Sequence, residues 1–573
     1  MSVARFMLSA SSMPAYPHLK AASTDAVTKR GHVPRQPVNA VASFSRIGAW
    51  VLLPAFLIAC PAPAQQTQTA VPPQTTPAKL TITLRTAADH VEARVVSSTP
   101  ITELEFDQRG SVRRDAWEVT TEGVKLHDDT IEATAPITQF EMSLAVDPEE
   151  YDRVYPSVTR VGDGFVVYGP ALLATGIQTE LVVAPADDES AWPPEDALRG
   201  YVYLGPTREL SRHGQVRLAG VGTVAPWLAE QITADAKTTL PLYATMLQRP
   251  ERQPALFIAG DGPGPMSFHG DVTDNDVVFL RFHGERWREP DPGASAQVGK
   301  FVRHEAFHLW NARNAPGVAP WLHEGGAEYA AIVASVHAGA LSHAQGVEQV
   351  AFHVQRCKNA LEERPFAELE PSGGAVYNCG VAAQWVADVE TRSTSQGKRN
   401  TFTIWRELLD RADATDGYTI ADFRDAAGPL TAMLLDGDPE GRWPKLAAAL
   451  HPLGVTVSDQ PSNADFRSAA VHHLLAQHCG ERPRGFWTES ASIRLDTGDR
   501  CGPLSGDPEI VAIEGHDLTR SADAVFDALD GACGKEDPLT LRRVDGTELE
   551  VACAEAPVRP SVFRIEAAPA LTL

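Results

Sequence analysis

Positive charge is scarce in this chain. Fifty lysines and arginines stand against 74 acidic residues, a formal net charge of −24. A surface of that sign repels phosphate backbones and excludes nucleic-acid binding as a ready reading. The acidity speaks to solubility rather than to a reaction. No segment has the eighteen or more consecutive apolar residues of a membrane-spanning helix. Cysteine is sparse at seven, and none lies in a Cys-x-x-Cys pair, which argues against a structural zinc knuckle or a redox dithiol. There is no serine nucleophile elbow, no phosphate-cradling glycine loop and no repeat with a period of 20–50 residues. What remains is a globular chain of 573 residues, long enough for three or four domains.

The N-terminal segment departs from this balance. Residues 1–59 carry Arg5, Lys20, Lys29, Arg30, Arg35 and Arg46 against Asp25 alone, so they contribute +5 and leave −29 for the rest. A short apolar run from Ile47 follows Arg46 and ends in Leu57-Ile-Ala-Cys60. That ending resembles a bacterial lipobox, whose cysteine is acylated and becomes the mature N-terminus. It implies export to the cell envelope, with a lipid anchor through Cys60 at the periplasmic face of the outer membrane. A start near Val38 or Val41 would give a leader of more usual length. Six cysteines remain: Cys357, Cys379, Cys479, Cys501, Cys533 and Cys553. They form successive couples 22, 22 and 20 positions apart. In an exported chain an even count points to disulfides, here expected between nearest neighbours, although six cysteines allow fifteen pairings.

Composition and periodicity divide the chain. After the leader (1–59), residues 60–78 are a Pro/Gln/Thr-rich tether that cannot bury apolar surface. Residues 79–205 alternate apolar and polar in short runs, as in Leu80-Thr-Ile-Thr-Leu84, which reads as a β-sandwich-like domain. Residues 206–455 mix a helix over 226–246, strands over 255–259 and 276–282, and helices over 345–364, 381–392, 402–411 and 420–435. Residues 456–573 return to short strands (485–495, 510–514, 539–544, 549–553) with one helix at 522–528. The fold class expected is multidomain α+β.

The chemistry concentrates in Val302-Arg-His-Glu-Ala-Phe-His-Leu-Trp-Asn311 and Trp321-Leu-His-Glu-Gly-Gly-Ala-Glu-Tyr329. On a helix, His304 and His308 lie one turn apart on one face, where two imidazoles can hold a zinc. Glu305 beside them is a candidate general base. A hydrolytic zinc needs a third protein ligand and one position open to water. Glu324 fits that place. Glu328, one turn later, is set to orient a ligand imidazole from behind. Gly325 and Gly326 are poor helix formers, better explained by close approach of another helix. His323 projects about 100° away from Glu324 on a helix and is not expected to be a ligand. His269 and His283 border a substrate loop, and His472, His473 and His478 lack a cysteine or acid that would complete a metal set.

These two stretches, with Tyr377-Asn-Cys-Gly380, resemble the gluzincin metallopeptidases, and within them the glycyl aminopeptidase family. The resemblance implies a thermolysin-like mixed α/β and helical catalytic domain behind the N-terminal β domain, and a small C-terminal PDZ-like domain. It implies zinc on His304, His308 and Glu324, Glu305 as the base, Tyr377 as the group that hydrogen-bonds the oxyanion, and a peptide or protein substrate. Two departures matter. The gap before Glu324 is short, so 312–319 is a trimmed loop. The segment Gly262-Pro-Gly-Pro-Met-Ser-Phe-His-Gly270 has no acid to anchor a free amino terminus, which leaves amino- and endopeptidase modes open. The strand over 276–282 is expected to pair with an extended substrate by edge addition. The competing function is a catalytically weak zinc protein that binds peptides as a scaffold through its PDZ-like domain. Oligomeric state is not legible.

Overall fold

A computed structural model describes residues 78–107, 112–147, 155–262, 266–290, 292–480, 485–498, 500–535 and 538–571. The leader, Cys60 and the tether through Pro77 lie outside them. The described chain is multidomain α+β, with several sheets and eleven α-helices. Among the described residues no helix is long and apolar enough to cross a membrane.

The first sheets are β1 (Lys79–Thr86), β2 (His90–Glu105), β3 (Trp117–Val119), β4 (Val124–His127), β5 (Thr130–Ala145), β6 (Val158–Val161), β7 (Gly164–Tyr168), β8 (Gln178–Val183), β9 (Glu189–Trp192) and β10 (Tyr201–Pro206). They form a six-stranded sheet in the order β3-β5-β2-β1-β8, with β4 on β5, and a four-stranded sheet β6-β7-β10-β9. On β1, Leu80, Ile82 and Leu84 are fully buried while their neighbours are not, the period of two that one covered face demands. β7 is buried along its whole length.

A third sheet joins β11 (Leu210–His213), β12 (Val216–Ala219), β13 (Ala255–Asp261), β14 (Ser267–Thr273) and β15 (Val277–His283) in the order β11-β12-β13-β15-β14. β12, β13 and β15 are parallel, and β14 runs antiparallel at the edge. Ala255, Phe257, Val277 and Phe279 pack into the N-terminal β core, whereas Leu256, Ile258, Val278 and Leu280 pack against helices. Burial on both faces explains why β13 and β15 read as unbroken apolar runs. It also corrects an expectation. β15 lies between β13 and β14, so both its edges are paired, and the strand with an outer edge is β14. Its sequence, Ser-Phe-His-Gly-Asp-Val-Thr, contains no apolar run, and only Phe268 and Val272 mark its covered face.

The helices are α1 (Pro226–Leu247), α2 (Pro292–Asn311), α3 (Trp321–His337), α4 (His343–Leu361), α5 (Gly374–Thr394), α6 (Thr401–Ala414), α7 (Ile420–Ala427), α8 (Pro429–Asp436) and α9 (Arg442–Leu450). The single helix expected over 420–435 is two. Gly428 sits at φ 121° and Pro429 restarts the chain as the first residue of α8, because proline has no N–H to continue α7.

The C-terminal part has β16 (Thr456–Ser458), α10 (Asn463–Cys479), β17 (Gly485–Thr488), β18 (Ile493–Asp496), β19 (Glu509–Ile513), β20 (His516–Asp517), α11 (Ala522–Ala532), β21 (Leu539–Arg543), β22 (Glu548–Val551) and β23 (Arg564–Ala567). Its sheet runs β17-β18-β19-β21-β22, with β20 on β19, and shares a core with α10 and α11. The strand expected over 485–495 is a hairpin of β17 and β18. β23 leaves this unit and pairs with β16, and Phe563, Ile565 and Leu571 join the helical core. The six cysteines form three disulfides between nearest neighbours: Cys357–Cys379, Cys479–Cys501 and Cys533–Cys553.

Candidate metal centre and active site

α2 is set by apolar packing and one buried ion pair. Val298, Val302, Ala306 and Leu309 join the core under the sheet. Arg303 Nη2 meets Asp235 Oδ1 of α1 at 2.7 Å, both almost fully buried. The Tyr243 hydroxyl donates to the Arg303 carbonyl at 3.1 Å. The helix is therefore fixed in rotation, and its other face presents His304 and His308.

α3 brings the third donor. A Cβ on Gly325 would lie 2.2 Å from the Gly380 Cα of α5, and one on Gly326 would lie 2.1 Å from the Trp405 ring of α6. Two successive glycines thus let α3 reach backbone contact with α5 and close against the Trp405 ring of α6, and Glu324 enters from its first turn. A carboxylate there is also favoured by the helix N-terminus.

The three donor atoms converge. His304 Nε2 and His308 Nε2 are 3.1 Å apart. Glu324 Oε2 is 3.3 Å from the first and 3.5 Å from the second. Ligands about 2.0–2.1 Å from a tetrahedral zinc stand roughly 3.3 Å from one another, so this triangle has the size of a metal's first layer. The far ring nitrogens are engaged. His304 Nδ1 donates to Glu328 Oε2 at 3.0 Å, and His308 Nδ1 to Asn311 Oδ1 at 2.8 Å. That leaves both Nε2 atoms facing inward, as lone-pair donors once the inner proton of His304 is displaced. The donor set, two imidazoles and one carboxylate oxygen, fits zinc.

The charges agree. Burial disfavours a charged His304 ring, yet hydrogen bonds to Glu324 and Glu328 and the charge of Glu305 overcome it and lift its pKa to about 10 with protein groups alone. Burial likewise opposes ionisation of Glu324, but His308, His304 and His323 hold it well below the usual carboxylate range. Glu328 is also held low, burial being outweighed by Lys300, His304 and His353. Glu324 and Glu328 are thus held as anions beside the two histidines.

Glu305 lies under β14. A Cβ on Gly270 would sit 2.3 Å from its Cδ, so the strand passes over the carboxylate at a distance that only glycine allows. Burial is the largest influence on Glu305. With the carboxylates of Glu324, Asp271 and Glu328 it outweighs His304 and raises the pKa to about 8. Tyr377, half-buried in the first turn of α5, has its ring centroid 5.9 Å from that of His304.

Several contributors were not read from sequence. Asn311 is three residues beyond His308 and Lys300 four before His304, so helical spacing contained that signal. Lys300 Nζ is 2.6 Å from Glu328 Oε1. His323 is not among the three convergent donors, but its Nε2 lies 3.4 Å from Glu324 Oε1. It occupies the oxygen that does not face His304 and His308. His353 of α4, Gly270 and Asp271 gave no local signal. Asp271, one residue past the acid-free segment, is bound by Arg281 at 2.6 Å and by the Tyr201 hydroxyl at 3.2 Å. The N-terminal β module reaches this place as well. Tyr155 stacks on Tyr168 at 4.7 Å. Its hydroxyl is pushed up by burial, then by Asp271, Tyr168, Glu324 and Glu305. His283 is buried at the end of β15, and His269 lies opposite Arg281 on β14. His473 and His478 bind the carbonyls of Glu555 and Ala552, while His472 packs on Phe486. These last three tie α10 to its own sheet.

No protein-family model and no curated protein sequence matches the chain. Among solved structures, it is similar to the crystal structure of an aminopeptidase N family protein from Idiomarina loihiensis. The two are 14% identical, with a TM-score of 0.54 over 86% of this chain and 98% of that one. At that identity the likeness establishes the fold: this chain is built on the multidomain α+β plan of an aminopeptidase N family protein.

Proposed function

We propose that the chain is a zinc metallopeptidase that hydrolyses peptide bonds. The observation that carries the reading is the triangle of His304 Nε2, His308 Nε2 and Glu324 Oε2 with a buried, high-pKa Glu305 beside it. A zinc held by those three donors lowers the pKa of a water and polarises a carbonyl. The protein's own groups do the rest. Glu305 accepts the proton of the attacking water and returns it to the leaving amine. A dication next to Glu305 would draw its pKa down from about 8 and favour the carboxylate that can accept a proton. Tyr377 donates its hydroxyl hydrogen bond to the oxygen that gains charge. Glu328 and Asn311 hold the ligand rings, and His323 keeps the outer oxygen of Glu324 away from the metal. The outer edge of β14 offers N–H and C=O groups to an extended peptide next to Glu305.

A scaffold that merely binds peptides has no use for a carboxyl group buried against Gly270 at a destabilising pKa, which favours the enzyme. Asp271 is already engaged by Arg281 and Tyr201, so the amino- or endopeptidase mode is left to experiment. The envelope location, the lipid anchor through Cys60 and peptide capture by a PDZ-like C-terminal unit are part of the same proposal.

The test is cleavage of a mixed peptide library, half with blocked amino termini, by the zinc-loaded protein beside Glu305→Gln. Internal cuts make it an endopeptidase; cuts only at free amino termini make it an aminopeptidase. The substitution is expected to retain zinc and lose turnover by about 10²–10⁴-fold. Equal cleavage by the mutant would remove Glu305 from the base's role, and no cleavage with one zinc bound would sink the peptidase reading.

A further inference from the structure

α4 meets the site at two points that the reaction scheme leaves unused. His353 is buried on its inner face. Its Nε2 is 3.3 Å from Glu328 Oε1, and its Nδ1 is 2.8 Å from Asn378 Oδ1. Glu328 is the carboxylate that holds His304 Nδ1. Asn378 follows Tyr377 directly and shares its turn of α5. One turn beyond His353, Cys357 is bonded to Cys379, two residues after Tyr377. Both cysteines are fully buried.

The first turn of α5 needs such an attachment. It begins after Gly373, whose φ of 83° marks a turn, and no side chain caps it. A helix end without a cap has unsatisfied N–H groups and frays. Tyr377 sits in that turn, so its hydroxyl can be held within the half-ångström tolerance of an oxyanion donor only by contacts from outside α5. α4 supplies two of these contacts. A planar imidazole keeps its two nitrogens at a fixed separation, so this one side chain braces Glu328 and Asn378 at the same time.

We propose that His353 is a positioning residue that sets the ligand ring of His304 and the oxyanion group Tyr377 in one frame, with the Cys357–Cys379 bond as the second tie. This rests on the peptidase reading above. Lys300 shares Glu328 Oε1 but lies on α2 and has no link to Asn378, so it separates the two halves of the device.

The experiment compares His353→Leu, His353→Gln, Asn378→Leu and Lys300→Met in the full-length protein. Zinc Kd is read by competition with a chromophoric chelator, kcat and KM on a peptide the wild type cleaves, and Tm alongside. His353→Leu is expected to weaken zinc about tenfold and to lower kcat at saturating zinc by about tenfold or more, with KM nearly unchanged. Asn378→Leu lowers kcat and leaves zinc Kd as it was. Lys300→Met weakens zinc and leaves kcat at saturating zinc within about threefold. His353→Gln, which still reaches Glu328, restores zinc Kd to within about threefold of wild type. Loss of Tm alone in His353→Leu, with wild-type Kd and kcat, would make the residue merely structural and overturn the proposal. If His353→Leu does not fold, wild-type kcat in Asn378→Leu does the same. If the wild type cleaves no peptide, the peptidase reading has failed. Zinc Kd then decides, and an unchanged value in His353→Leu with a weakened one in Lys300→Met overturns the proposal.

Discussion

Replacing Gly270 by alanine isolates the placement of the base from the stability of the fold. The glycine has an ordinary strand backbone, with no positive φ, so alanine can adopt it. Its Cβ would stand 2.3 Å from Glu305 Cδ, 2.4 Å from Oε1 and 2.6 Å from Cγ. Ordinary carbon contact begins near 3.4 Å, so the carboxyl group must retreat by about 1 Å. All three contacts are with one flexible side chain and none with backbone. The fold therefore gives way cheaply, and a stability loss of about 1 kcal/mol is expected, at the low end of overpacking. Catalysis does not give way cheaply, because a displacement of about 1 Å in a reacting group costs on the order of 10²-fold. That is roughly 2.7 kcal/mol in the barrier. The assay is kcat and zinc Kd on the same preparation, with urea unfolding alongside. The expected result is kcat lowered about 100-fold, with zinc Kd unchanged and nearly wild-type stability. Wild-type kcat in Gly270→Ala would show that β14 does not fix Glu305, and with it the argument for the base's geometry would fall. A zinc Kd that changed in step with kcat would move the effect to the ligands instead.

Three further outcomes follow from the charges and the geometry. Zinc must displace a proton from His304, whose pKa is raised from 6.5 to about 10, so apparent zinc affinity should rise through that window, about tenfold per pH unit. The chelator-treated protein should do the opposite in stability. The raised pKa of His304 stabilises the fold fully below 6.5 and is lost as pH climbs through about 10, and that of Glu305 is present below 4.5 and lost through about 8. Tm without zinc should therefore fall from pH 5 to 9, and a rising Tm over that range would contradict the charge arrangement. Gly380→Ala should be worse for the fold than Gly270→Ala. Its Cβ meets backbone, the Trp321 carbonyl oxygen at 2.3 Å and Gly325 Cα at 2.5 Å, so α3 and α5 must part at a cost of about 3 kcal/mol. Urea unfolding measures it, and a loss below about 1 kcal/mol would mean the helices are not in contact there.

The elements that sequence placed well are those whose pattern is local. α1 followed from apolar spacing, and β13 and β15 from unbroken apolar runs between turns. Nearest-neighbour disulfides followed from spacing in the chain. The misreadings share a cause. β14 carries only two apolar residues, Phe268 and Val272, on the face that meets Phe301 and Glu305, with Gly270 between them and His269 and Asp271 on the other face. Its period of two is too weak to stand out after the Gly/Pro-rich loop. α7 and α8 looked like one helix because their apolar period continues across Gly428-Pro429. β15 was taken as an edge because nothing in a strand's own residues says which neighbours it has.

The same division runs through the site. An α-helix puts residues four apart on one face, so the sequence alone determined that His304 and His308 stand together, with Glu305 beside them, and that Glu324 and Glu328 share a face. Whether these two pairs of positions meet is a matter of helix packing. Gly325 against Gly380, and Gly326 against Trp405, bring α3 close enough for Glu324 Oε2 to complete the triangle. Gly270 over Glu305, His353 between Glu328 and Asn378, and Tyr201 of the β module on Asp271 are contacts across 25 to 70 residues of chain. Local geometry sets the distance between neighbours in sequence through two soft dihedrals per residue. It carries no information about partners that far away, which burial of the shared core brings together.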